Sequence, residues 1–126
     1  MNVVDSSGWI EFFLAGKNGP LFKPVIELRD ELIVPVIALY EVHKILSRQV
    51  PADVVDTFLD VMRLGRVVEL TDKRAVAASK ASSTHGLAMA DAAMYSIAQE
   101  FKATFWTQDV DYQGLSNVKL FAKSGV

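Results

Sequence analysis

Five short apolar runs, set apart by segments of helical or turn character, constrain this chain more than any other feature. They lie at residues 1–4 (ending in Val3-Val4), 32–34 (Leu32-Ile33-Val34), 66–70 (around Val67-Val68), 104–107 (Thr104-Phe105-Trp106-Thr107) and 118–121 (Val118-Lys119-Leu120-Phe121). Short β-branched and aromatic runs alternating with helices predict an α/β fold, with a parallel sheet of four to five strands and helices on both faces. In an open sheet of this kind, ligands bind outside the carboxyl ends of the strands. The residues that follow each run are where chemistry is to be sought.

The intervening segments read as helices. Residues 8–15 carry Trp9, Ile10, Phe12, Phe13 and Leu14, with Ser6 or Ser7 as the expected cap and the segment from Gly16 to Pro20 as the stop. A second helix is expected over 21–31, where Leu21, Phe22, Val25, Ile26 and Leu28 follow the 3.6-residue period. Pro24 must lie in its first turn or kink it. From Val36 to Arg48 a helical pattern buries Ala38, Leu39, Val42, Ile45 and Leu46. Pro51 opens the next helix, with Gly65 as its expected C′ residue. Thr71 or Asp72 caps an alanine-rich helix to about Ser83, and residues 88–101 form the most apolar helix.

Composition narrows the classes. The chain has 126 residues, 51% of them hydrophobic, which suits one domain over residues 1–126 with a real core. No apolar run reaches transmembrane length and no secretory signal is read, so a cytoplasmic location without membrane contact is expected. There are no cysteines, which removes disulfides, thiol catalysis and Cys-based zinc sites. With 13 Lys and Arg against 15 Asp and Glu, the net charge is −2. That argues against affinity built on non-specific phosphate contacts. It leaves room for an enzyme that meets a polynucleotide through a bound cation and a few local bases.

Four carboxylates fall at or just beyond the strand ends. Asp5 follows the first run, Glu41 lies about two turns into the helix after the second, Asp91 sits in the first turn of the most apolar helix, and Asp109 follows the fourth run. Each has a local explanation: a turn or cap for Asp5, a surface ion pair with Lys44 for Glu41, the helix macrodipole for Asp91. Jointly they are harder to dismiss, because parallel topology brings the strand ends to one edge. Carboxylates gathered there must spread apart, take up protons or bind a cation. His43 and His85 lack metal-ligand spacing with each other, so an all-carboxylate Mg²⁺ or Mn²⁺ site is preferred over zinc.

Val4-Asp5-Ser6-Ser7, Tyr40-Glu41-Val42, Ala90-Asp91-Ala92-Ala93 and Thr107-Gln108-Asp109, taken in order, resemble PIN-domain ribonucleases and within them the VapC-type toxins of toxin–antitoxin pairs. The resemblance spans nearly the whole chain. It implies a three-layer PIN-like fold, a Mg²⁺- or Mn²⁺-dependent endoribonuclease, a small antitoxin partner and a homodimer. It implies an acidic site of Asp5, Glu41, Asp91 and Asp109, with Ser7 and Thr107 as its polar neighbours. Asp111 competes with Asp109, and the Thr-x-Asp spacing favours Asp109. Met89-Ala90 stands where the family often has Ser or Pro before the third acid, which bears on the capping of that helix.

Chemically, Asp5 and Asp91 are the expected metal ligands, with Asp109 bound directly or through water, and Glu41 the expected general base. Lys44 and Arg48 either position the RNA backbone or are solvated helix charges. Two other readings were weighed. A phosphoryl-acceptor domain of the receiver or phosphatase kind would want a second acid beside Asp5, where Ser7 stands. An inactive protein-binding domain is opposed by acids at all four positions. The aromatics Trp9, Phe12, Phe13 and Phe22 either line an apolar groove or, for most of them, pack in the core.

Overall fold

The computed structural model describes residues 1–123. All five apolar runs are strands: β1 (Asn2–Val4), β2 (Leu32–Pro35), β3 (Arg66–Val68), β4 (Thr104–Thr107) and β5 (Val118–Leu120). Six helices accompany them: α1 (Ser6–Phe13), α2 (Gly19–Glu27), α3 (Val36–Leu46), α4 (Ala52–Met62), α5 (Asp72–His85) and α6 (Met89–Glu100). The strands form one sheet in the order β3-β2-β1-β4-β5, each pair parallel. Val3 and Val4 point to opposite faces of the central strand and both are fully buried, so helices cover both sides of the sheet. This is the expected three-layer α/β architecture. Among the described residues no helix is long and apolar enough to cross a membrane.

The strand order places the site. From β1 the chain winds outward through β2 to β3, then crosses to the other side of β1 to add β4 and β5. The winding reverses between β1 and β4, and the crevice outside their carboxyl ends is where such sheets bind ligands. The crossing is made by α5 and α6. Of these, α6 packs against β1, β2 and β4 and carries α5 on its flank.

Several helix boundaries differ from expectation for local reasons. Neither Ser6 nor Ser7 caps α1; Asp5 does, its side chain accepting from the Gly8 amide at 2.9 Å. Both serines lie inside the first turn. Gly8 is required by contact, since a Cβ there would meet Phe22 and Val4 at 2.7 Å. Helix α2 starts two residues before Leu21, because Pro20 sits in the first turn where its missing amide costs nothing, and so begins the helix. Pro24 falls inside α2, which ends at Glu27, and residues 29–31 form a 3-10 turn. Gly65 lies beyond the C′ position of α4 and has ordinary φ. Its bare backbone passes 2.9 Å from Val34 Cγ2, measured from an added Cβ, so it serves packing against β2. The left-handed helix end is at Gly86, φ 69°, closing α5.

Candidate active site

Asp5 ends the central strand. Its amide donates to the Trp106 carbonyl at 3.1 Å, extending the β1–β4 pairing by one residue and carrying the side chain into the crevice. It is 2% exposed. Oδ1 accepts from the Gly8 amide at 2.9 Å and from Ser7 Oγ at 2.8 Å, while Oδ2 accepts from Thr107 Oγ1 at 2.7 Å. Burial raises the Asp5 pKa most and Asp109 raises it further. The bonds from Thr107, Gly8 and Ser7 lower it, and the balance stands at about 6.

Thr107 ends the neighbouring strand and is fully buried. Its hydroxyl donates to Asp5 and accepts from the Asp109 amide at 2.9 Å. One hydroxyl thus joins the first acid to the fourth. Asp109 in turn caps the 3-10 turn Val110–Tyr112, its Oδ1 accepting from the Asp111 amide at 2.9 Å. The competing acid therefore points into the same region: oxygens of Asp91, Asp109 and Asp111 lie within 4.8 Å of one another, the spacing that one ion can bridge. Asp5 is not one of these three; it sits deeper, behind Thr107.

Asp91 occupies the first turn of α6, whose N-cap, Ala88, offers no side-chain bond. Partial burial raises its pKa, as do the charges of Glu41, Asp109 and Asp111, while the Tyr112 hydroxyl opposes them. Glu41 reaches the group from α3, and Ser6 Oγ donates to its Oε1 at 2.8 Å. The fold thus gathers Asp5, Glu41, Asp91, Asp109 and Asp111 on elements far apart in sequence.

Lys44 and Arg48 form no ion pair with these acids among the described residues. The Glu41–Lys44 ion pair is not formed. Lys44 Nζ lies 5.9 Å from the Tyr40 ring centroid, and Arg48 falls past the end of α3, which stops at Leu46. The ion pairs among the described residues are Arg63–Asp60 and Arg74–Glu100, and neither involves an acid of the cluster. Two site residues escape sequence reasoning. Ser6 looks like a cap until α3 arrives beside it. Tyr112 is an isolated aromatic in a loop, and only the folded contact of its hydroxyl with the Asp91 carbonyl, at 3.3 Å, marks it.

A buried aspartate at the winding reversal of an all-parallel sheet, with four more carboxylates around it, defines an α/β protein with an acidic cluster at the strand ends, three of whose carboxylates are spaced as one metal ion could bridge. The PIN-domain family model matches residues 3–118, and the chain belongs to that family. No curated protein matches the sequence. Among solved structures, a toxin–antitoxin complex from Klebsiella pneumoniae superposes with a TM-score of 0.78 at 15% identity, covering 94% of this chain and 96% of that one. VapC20 from Mycobacterium tuberculosis, described as a sarcin–ricin-loop-cleaving toxin, also gives 0.78 at 15% identity, over 92% and 95%. FitAcB from Neisseria gonorrhoeae gives 0.68 at 16% identity, over 98% of each chain. At such identities the likeness is one of fold.

Proposed function

We propose that this chain, acting as a single PIN-like domain, is a divalent-metal-dependent endoribonuclease and the toxin of a toxin–antitoxin pair. The observation that carries the reading is the Asp5–Thr107–Asp109 linkage across the β1–β4 reversal, with Asp111 beside Asp109 and Asp91 facing both from α6. The donor set suits a hard cation: every candidate ligand is a carboxylate oxygen, and both histidines are exposed on other parts of their helices. Asp5, Asp91 and Asp109 would hold Mg²⁺ or Mn²⁺, with Asp111 adding an oxygen beside Asp109. When bound, the cation would offset charge growing on the scissile phosphate and acidify a nearby water.

The chain's own residues then divide the work. Thr107 and Ser7 hold the Asp5 carboxylate in place. Ser6 occupies Glu41 Oε1, which leaves Oε2 to take the proton of the attacking water as its oxygen bonds to phosphorus and the P–O bond to the departing nucleoside breaks, solvent water protonating the oxygen that leaves. Lys44 and Arg48, both exposed, would meet the RNA backbone flanking the site. The phosphoryl-acceptor alternative fares worse, because the second acid it wants beside Asp5 is replaced by Ser7, whose hydroxyl donates to the Asp5 carboxylate.

The partners belong to the same proposal. Similar folds occur in toxin–antitoxin complexes, and one such relative cleaves the sarcin–ricin loop. Trp9 and Phe22 are core residues, whereas Phe12 and Phe13 join Ile26, Phe58 and Val61 in an apolar surface groove between α1, α2 and α4. A small antitoxin would cover that groove; a homodimer and a cytoplasmic site of action complete the reading. The test is RNA cleavage by the purified, antitoxin-free chain with Mg²⁺, Mn²⁺ or EDTA, beside Asp5→Asn and Asp91→Asn. Each substitution is expected to lower cleavage by more than about a hundredfold. Cleavage that survives EDTA or both substitutions sinks the proposal.

A further inference from the structure

The acids of the site stand on two bodies. Asp91 belongs to α6, while Asp109 and Asp111 belong to the loop after β4. Within the loop the geometry is fixed. The Asp109 amide donates to Thr107 Oγ1, the Asp111 amide to Asp109 Oδ1, and the Tyr112 amide to the Asp109 carbonyl at 3.2 Å. Between loop and helix the carboxylates only repel one another, as their mutual effects on Asp91 show. Something other than charge must set the gap that one cation would have to span.

From the geometry we infer that Tyr112 is a positioning residue, its hydroxyl fixing the distance between the α6 acid and the loop acids. The inference rests on the acidic cluster being a cation site. Tyr112 closes the 3-10 turn, and its hydroxyl donates to the Asp91 main-chain carbonyl at 3.3 Å. That carbonyl lies in the first turn of α6, where the amide four residues on is its ordinary helical partner. The tyrosine bond is therefore not needed to satisfy it. Nor does packing need the hydroxyl: the ring lies 4.6 Å from Phe105 and 6.3 Å from Tyr95, centroid to centroid, contacts a phenylalanine would keep. What the hydroxyl adds is a tie between the two acid-bearing segments at the residue that carries Asp91. Groups that hold metal ligands in register commonly govern metal affinity by tenfold or more.

Tyr112→Phe keeps the ring and removes only the tie. The comparison variant is Tyr95→Phe, which removes the other hydroxyl bond between α6 and the chain after β4, at the Ser116 carbonyl (2.8 Å), beyond the 3-10 turn that holds Asp109 and Asp111. Mn²⁺ is titrated into the metal-free wild-type chain, both variants and Asp91→Asn by calorimetry, with thermal melts in EDTA beside it. Wild type and Tyr95→Phe are expected to bind alike, and Tyr112→Phe roughly tenfold more weakly. The two tyrosine variants should melt within a few degrees of each other. Equal Mn²⁺ affinity in Tyr112→Phe and wild type overturns the positioning role while leaving the cation site standing. So does equal weakening in Tyr95→Phe, which would mark a general loss of stability. No Mn²⁺ uptake by wild type overturns the cation site and this inference with it.

Discussion

The two halves of the acidic site are built in opposite ways. At the β1–β4 reversal, Asp5 is held by an amide and two hydroxyls, so its carboxylate is as much a structural joint as a chemical group. Across the crevice, Asp91, Asp109 and Asp111 face one another with nothing positive between them, held apart by an α-helix, a loop and one tyrosine hydroxyl. One half is satisfied by the protein itself. The other is left with its charges uncompensated by the protein. Removing an acid should therefore have opposite consequences for stability in the two halves.

The largest expected effect follows. In EDTA at pH 5, Asp5→Ala leaves the Gly8 amide uncapped and strands the buried Thr107 hydroxyl, costing about 3–5 kcal/mol by the usual worth of a cap and of unsatisfied buried donors. Asp91→Ala under the same conditions removes a group that its neighbours repel, and stability should change by less than about 0.5 kcal/mol or rise. Urea denaturation of both variants decides it. Equal losses would erase the contrast between the halves.

The contrast sharpens with pH. Asp5 keeps its proton longer in the folded chain, with a pKa of about 6, than unfolded at 3.8. Its contribution to stability is thus fully present below pH 3.8 and is lost as pH rises through 6. The full swing is about 3 kcal/mol by the conversion of pKa shift to free energy. Measured in EDTA, the stability gap between wild type and Asp5→Asn should narrow by about that amount from pH 4 to pH 7. A pH-independent gap would mean that Asp5 ionises as freely folded as unfolded, and that burial does not govern it.

Which parts of this site could be seen in the sequence follows from how far apart its contacts are. The strands were legible because Val3-Val4, Leu32-Ile33-Val34 and Thr104-Phe105-Trp106-Thr107 are apolar runs too short for buried helices, and parallel alternation then puts their ends together. That logic points to Asp5, Glu41, Asp91 and Asp109, carboxylates that the fold carries on different elements to one sheet edge. It went astray where one residue serves two ends. Asp5 took the capping role expected of its serine neighbours, and Pro20, expected only within the stop of the first helix, also lies in the first turn of the next. The hydroxyls around the acids were largely invisible. Ser6 meets Glu41 across 35 residues and Thr107 meets Asp5 across 102, so neither bond leaves a local pattern. Thr107 was named only through the family resemblance, and Tyr112 not at all.

Ser6 supplies the smallest test. Its hydroxyl holds Glu41 from the Asp5 side of the crevice, so it bonds the self-satisfied half directly to a second residue that acts on Asp91, beside the Thr107–Asp109 link. Ser6→Ala leaves the Asp5 cap and the Thr107 bond untouched, and Glu41 is only half-buried, so water can replace the lost bond. Stability should thus shift by under about 1 kcal/mol, the worth of one partly exposed hydrogen bond. If Glu41 takes the proton of the attacking water, freeing its Oε1 lets the carboxylate swing, and kcat should fall by about tenfold, or ~1.4 kcal/mol in the barrier, with KM held. Glu41→Gln should fall further at every pH. A Ser6→Ala chain that cleaves at the wild-type rate would show that Glu41 needs no fixed orientation, and would move the general-base role elsewhere among the acids.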